Sequence, residues 1–225
     1  MEQGAQTDKD VHKVVLSERQ IQILEQEGLP IRYEELSPIQ QETIIVIEEM
    51  MTAVEEKYGE EFAYFGYFSG SVLESGTLTL YPKGGDPSTD AFSVQRAEVD
   101  GAYIYTDGYA AMQKKPGFIA FVEAYAEQQL GDGTAAVYCV VFESEESSCV
   151  HGDGDCWIFV DGGSVSREQF AAFAAGYGDW KRENGITGFA QLILLKPDVL
   201  RELTEFNYSD YLGQQYSQEQ TFVGP

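Results

Sequence analysis

The sequence predicts an α+β fold: a largely antiparallel sheet packed against helices, with an N-terminal helical pair. Three observations carry that expectation. Serine-led capping patterns open amphipathic stretches at Ser17, Ser37 and Ser166. Runs rich in aromatic and β-branched residues, such as FAYFGYF and TLTLY, have the composition of strands. The order of segments is two helices, three or four strands, a helix, two strands, a helix, a strand and a short helix, so most strands follow one another through short turns.

The first helix begins after Ser17, where SERQ places Gln20 to reach back to the cap, and Leu16 and Ile21 form a hydrophobic staple; Gly28 and Pro30 end it. Ser37-Pro38-Ile39-Gln40 repeats the pattern with proline at the first helical position, where its missing N–H costs nothing. Ile44, Ile47, Met51, Val54 and Tyr58 then recur at helical spacing until Gly59. Beyond it, Phe62 to Phe68 and Thr77 to Tyr81 read as strands, and Asp100-Gly101 inside FSVQRAEVDGAYIY is a two-residue hairpin turn. Pro116 is expected to open the next helix, with Phe118, Phe121, Val122 and Tyr125 on one face and Gly131 at its end. Ala135 to Phe142 is apolar on both alternating sets, which predicts a central strand covered on both faces. Strands at Trp157 to Val160 and Phe189 to Leu195 flank a helix opened by Ser166 and carrying Phe170, Phe173, Tyr177 and Trp180; Pro197 is expected to start a short helix through Leu203.

With 225 residues, 43% of them hydrophobic and 13% aromatic, the chain can bury a sizeable core. The expected organisation is a flexible leader over 1–16, a single α+β domain over 17–206 and a polar tail over 207–225. Connections at 83–90 and 142–156 are the candidate exposed loops. There is no run of 18 to 20 apolar residues to span a bilayer, and the leader lacks the apolar core of a signal segment; a signal or lipid-anchor segment could still have been removed ahead of it. The 38 acidic against 14 basic residues give a formal charge of −24. Such a surface repels phosphate backbones and anionic membranes and favours a basic partner, although acidic pairs such as Glu48-Glu49, Glu55-Glu56 and Glu60-Glu61 also suit a solvated helix face.

The densest chemistry lies in CVHGDGDC, residues 149–156: two thiols, one imidazole and two carboxylates within eight positions. A structural zinc site usually takes two separated ligand pairs, but Cys139 and His12 are the only other cysteine and histidine. A calcium loop starting at Asp153 fails at its fifth and sixth positions, Trp157 and Ile158. Three readings stay open: a Cys149–Cys156 disulfide across a turn relaxed by Gly152 and Gly154, two reduced structural cysteines, or a metal or catalytic site on His151, Asp153 and Asp155, with Cys149 as a possible nucleophile. A disulfide would place the chain outside the reducing cytosol. Cys139, inside an apolar strand, reads as a small buried hydrophobe.

No nucleophile elbow, phosphate-cradling loop or dinucleotide-binding turn is present, so no catalytic residue, cofactor or metal is expected. The second functional signal is aromatic. Tyr64, Tyr67, Tyr81, Tyr103, Tyr105 and Tyr109 could stack on a carbohydrate or anchor a protein, or could be sheet packing, and Arg96 and Lys83, among the few nearby cations, could hold an anionic group.

The segments LSERQIQILEQEGLP, YEELSPIQQETIIVIEEMM and KYGEEFAYFGY resemble uncharacterised proteins of Gram-positive bacteria, some of them signal-bearing or lipid-anchored. The resemblance spans the first third of the chain and transfers no functional residue. It implies a bacterial protein and favours an extracytoplasmic home. The expected function is a non-catalytic binding or protein-interaction domain whose partner is an unknown protein or carbohydrate. The alternatives are a small acidic inhibitor or immunity-type protein masking a basic site, and a hydrolase or metal-dependent enzyme using the 149–156 loop.

Overall fold

A computed structural model of the chain describes residues 14–70, 76–142 and 149–224. Most of the expected leader, with His12, lies outside the described residues, as does the 143–148 part of the expected loop. The α+β class is observed: among the described residues, four α-helices accompany eight strands that form two separate four-stranded sheets. Because each half of the chain completes its own sheet, it divides into two compact units, Met1–Asp107 and Gly108–Pro225, where the sequence suggests one domain over 17–206.

In the first unit, α1 (Glu18–Gln26) and α2 (Pro38–Tyr58) both start with the expected reciprocal caps: the Ser17 and Ser37 hydroxyls accept from the N–H groups of Gln20 and Gln40, whose side chains accept from the serine N–H groups. Gly59 ends α2 in the left-handed conformation, φ 69°. Strands β1 (Phe62–Phe68), β2 (Thr77–Pro82), β3 (Phe92–Val99) and β4 (Ala102–Asp107) follow as an antiparallel meander in sequence order. Asp100 and Gly101 both carry positive φ, 53° and 80°, as the tight β3–β4 turn requires. Leu78 opposes Val94 and Leu80 opposes Phe92, so these four share one face, and all are buried. A bulge between Tyr64 and Gly66 changes the phase of β1: Tyr64 pairs with Leu80 and Tyr67 with Leu78, which puts both tyrosines on the buried side. Ile44, Ile47, Met50, Met51 and Val54 supply the buried stripe of α2.

The second unit runs α3 (Tyr109–Leu130), β5 (Ala135–Phe142), β6 (Asp153–Val160), α4 (Arg167–Glu183), β7 (Ala190–Leu195) and β8 (Ser217–Val223). Its sheet order is β5-β6-β7-β8, with β6 and β7 parallel through α4 and the other neighbours antiparallel. Three expectations change here. Pro116 lies inside α3 instead of opening it, and the buried Tyr109 and Ala111 belong to turns ahead of the proline. Strand β5 is at the sheet edge and not central. It is apolar on both sides because Val137 and Cys139 join the core with Phe118, Val122, Phe170 and Tyr177, while Tyr138 on the other face stacks on Tyr208 at 4.6 Å between ring centroids. The expected tail supplies β8, a strand missed because it pairs through its backbone and amide side chains, such as Gln191 to Gln220 at 3.1 Å, without apolar alternation. The short helix expected from Pro197 reduces to one 3₁₀ turn, Leu200–Glu202. All six residues of β7 are buried, between that core and a second one of Phe159, Ile193, Leu195 and Leu203.

Candidate functional site

In the first unit the sequence-predicted tyrosines separate by environment. Tyr64 is buried and donates its hydroxyl to the Glu27 carboxylate at 2.8 Å; burial first, then that acceptor, raises its phenol far above the ordinary range. It is a packing residue with a satisfied hydroxyl. Tyr81 borders a hollow of about 460 Å³ at the β1 edge, in company with Arg19, Glu55, Glu61 and Lys83; Lys83 is ion-paired with Glu61. Tyr67 and Arg96 line a second hollow of about 350 Å³ with Glu42, Thr43 and Ser69. A Cβ on Gly76 would lie 2.5 Å from the Tyr67 hydroxyl, so the glycine is what lets the ring settle there. Burial raises the Tyr67 phenol, and the nearby Arg96 charge opposes the rise.

Arg96 holds the group together. Its guanidinium lies 4.1 Å from the Tyr103 ring centroid and 3.1 Å from the Glu49 carboxylate of α2, and its strand neighbour is Tyr105. Tyr67, Arg96, Tyr103 and Tyr105 therefore converge on the side of the sheet that faces α2. Tyr105 in turn borders an open hollow of about 360 Å³ whose other walls are Gln20 and an α2 stripe of Ile45, Glu48, Glu49, Thr52, Ala53 and Glu56. The stripe follows from helical periodicity: positions 45, 49, 52 and 56 recur every three or four residues. Glu48 is 3.8 Å from Arg19, and Glu49 is held by Arg96, while Glu56 and Ile45 are exposed. Their helical spacing alone predicts a solvated face for these glutamates. That they combine with Ile45 and Tyr105 is visible only once β4 is laid beside α2.

The second half of the 149–156 motif, from Asp153 on, is strand, and the first half is the turn that leads into it. Asp153, in β6, pairs with Phe142, so Cys149 falls in the connection ahead of the ladder, and the residue opposite Cys156 is Cys139. The expected Cys149–Cys156 staple is therefore not the pairing the ladder makes: the Cys139 and Cys156 sulfurs are 2.8 Å apart, and all three cysteines are thiols. Asp153 is buried, and its carboxylate accepts the Thr187 N–H at 2.6 Å; Asp155 accepts the Phe189 N–H at 2.9 Å. These two carboxylates fasten the turn before β7. His151 stacks on Phe121 at 4.2 Å between centroids. Among the described residues, no group of three or more histidine, cysteine or acidic side chains is placed to hold a metal ion. Gly154 is required by packing, since a Cβ there would meet Phe118 at 2.8 Å and the Val140 carbonyl at 2.9 Å. Lys181, which the sequence did not single out, is buried and donates to the carbonyls of Gly188 and Gly224, the latter at 2.8 Å. Desolvation lowers its pKa, against the opposing pull of Cys156, Asp155 and Asp153. No helix among the described residues is long and apolar enough to cross a membrane.

The sequence matches no protein-family model and no curated protein. Among solved structures, the chain is similar to a crystal structure of a DUF5037 family protein from Ruminococcus gnavus. That alignment covers 79% of this chain and 89% of the other, at 14% identity and a TM-score of 0.42.

Proposed function

We propose that this chain is a non-catalytic binding protein that engages a basic protein partner through the first unit, at the hollow between α2 and β4. The observation that carries the reading is the composition of that hollow: exposed Ile45 and half-buried Ala53 and Tyr105 form an apolar wall beside three carboxylates, Glu48, Glu49 and Glu56. A lysine or arginine side chain is apolar along its stem and charged at its head, so it would lie along the wall and meet the carboxylates at the rim. Tyr103, half-exposed and stacked with Arg96, adds a rigid aromatic surface beside it. The charge of −24 supports the same choice, because it speeds encounter with a cationic partner and repels anionic ones. An inhibitor or immunity-type role is the special case in which the covered basic patch is the partner's own working site. An extracytoplasmic home is part of the proposal and rests on the sequence resemblance.

The test is a titration with a lysine-rich peptide, followed by backbone amide shifts at low and high salt, with a glutamate-substituted peptide as control. Shifts should concentrate at residues 45, 48, 49, 53, 56 and 105, weaken with salt, and fade in Tyr105→Ala and Glu56→Gln. Shifts spread evenly over every acidic surface would reject the site.

A further inference from the structure

The two sulfurs of Cys139 and Cys156 meet inside the second unit, and the backbone around them determines what they can do. Cys156 donates its N–H to the Phe189 carbonyl at 3.0 Å, on the β7 side. In a strand the N–H and C=O of one residue point the same way, so neither backbone group of Cys156 points toward β5. The opposing pair Cys139 and Cys156 is therefore a non-hydrogen-bonded pair of the antiparallel ladder, the kind with the closer Cα approach of about 4.5 Å. That separation lies inside the range of about 4.4 to 6.8 Å that a disulfide spans. Both side chains lie on the same face of the sheet, in one core.

We propose that Cys139 and Cys156 form an intramolecular disulfide across β5 and β6 when the chain folds in an oxidising medium, and that Cys149 stays a thiol. Both S–H bonds break and one S–S bond forms. The two electrons and two protons pass to a small-molecule disulfide, which is reduced to two thiols. In the folded chain the reaction is slow: the Cys156 contact, then burial, push the Cys139 thiol upward and away from the reactive thiolate. Exchange therefore runs during folding, before the core closes. What access remains afterwards is through a hollow of about 270 Å³ at the β5 edge, where Cys139 is lined up with Lys115, Glu205 and Tyr208, and where Lys115 and Glu205 form an ion pair.

The consequence is mechanical. The bond ties the edge strand to the interior of the sheet and closes a loop of 18 residues, Cys139 through Cys156. A loop of that size raises the melting temperature of a unit this long by about 10 °C. Such a bond persists in an oxidising compartment and not in the reducing cytosol.

The experiment refolds the full chain in a mixture of reduced and oxidised glutathione, quenches with acid, alkylates the remaining thiols and reads the digested peptides by mass spectrometry. The expected result is one alkylated cysteine, Cys149, and a linked peptide pair carrying Cys139 and Cys156. Three alkylated cysteines, or any linkage that includes Cys149, would overturn the proposal. Cys149→Ser, which keeps the proposed pair, should refold to the same linked product and melt about 10 °C higher oxidised than reduced. An oxidised form that melts at or below the reduced one would overturn it as well.

Discussion

Replacing Asp153 with alanine is expected to destabilise the second unit by about 3 kcal/mol. The carboxylate is buried and accepts the Thr187 N–H at 2.6 Å, and a hydrogen bond to a charged group contributes about 1.5 to 3 kcal/mol net. Removal also leaves the Thr187 amide without its acceptor in a half-buried turn, and takes away one of the charges that favour the buried Lys181 ammonium. Domains of this length have stabilities of about 6 to 18 kcal/mol, so the loss is a large fraction. The assay is urea unfolding followed by tryptophan fluorescence. Both tryptophans of the chain, Trp157 and Trp180, are in the second unit, so the signal reports that unit without contribution from the first. With a slope of about 1.5 kcal/mol per molar, the midpoint should fall by about 2 M. Asp153→Asn, which keeps an oxygen acceptor of similar shape, should lose less than half as much. An alanine variant within 0.5 kcal/mol of the parent would refute the structural role. So would a parent whose midpoint rises with added divalent cation while the variants' midpoints do not.

Gly154→Ala should cost about 2 to 3 kcal/mol in the same assay, since its Cβ meets both the Phe118 ring and a backbone carbonyl; an unchanged midpoint would refute the packing requirement for glycine. In the first unit, the Asp107 carboxylate accepts from the Tyr58 hydroxyl and from Lys57, each at 2.8 Å. Asp107→Ala should therefore cost about 2 kcal/mol, read by near-ultraviolet tyrosine circular dichroism, and no loss would count against that network. Stability of the second unit should fall as pH rises above about 9. Cys139 and Tyr177, ordinarily titrating at 9.0 and 10.0, are both raised in the folded chain, so the unfolded chain releases their protons first and is favoured from there upward. The lowered pKa of Lys181 acts in the opposite sense, as a single smaller contribution. A flat profile from pH 7 to 11 would contradict the assignment.

Local chemistry was legible in advance wherever a few neighbouring residues settle it. The caps at Ser17, Ser37 and Ser166, the stop at Gly59 and the Asp100-Gly101 turn all form from contacts within about four residues, and each is found where the sequence places it. The α+β class followed from the same short-range signals. Tyr67, Arg96, Tyr103 and Tyr105 were legible as candidates by residue type, but not as a group, because their meeting depends on a bulge in β1 and on which face of the sheet α2 covers. Tyr64 carries the same residue type as its neighbours, and only burial against Glu27 distinguishes it as packing.

The remaining differences arise from long-range partners. A proline at a helix start and a proline inside a helix look alike until the preceding turns are seen to be buried, as they are at Tyr109 and Ala111. An apolar strand reads as central, yet β5 is an edge covered by α3 on one side and by Tyr208 on the other. β8 pairs through its backbone, which every sequence possesses, so its polar residues carried no signal. In the 149–156 motif, spacing alone joined Cys149 to Cys156. The ladder register, with Phe142 opposite Asp153, brings Cys139 to that position instead and turns the two aspartates into acceptors for the β7 turn. Each segment's periodicity, its caps and the strong negative charge are written in the order of the residues. Register and facing arise only on folding, because they depend on hydrogen bonds and packing between residues far apart in the chain.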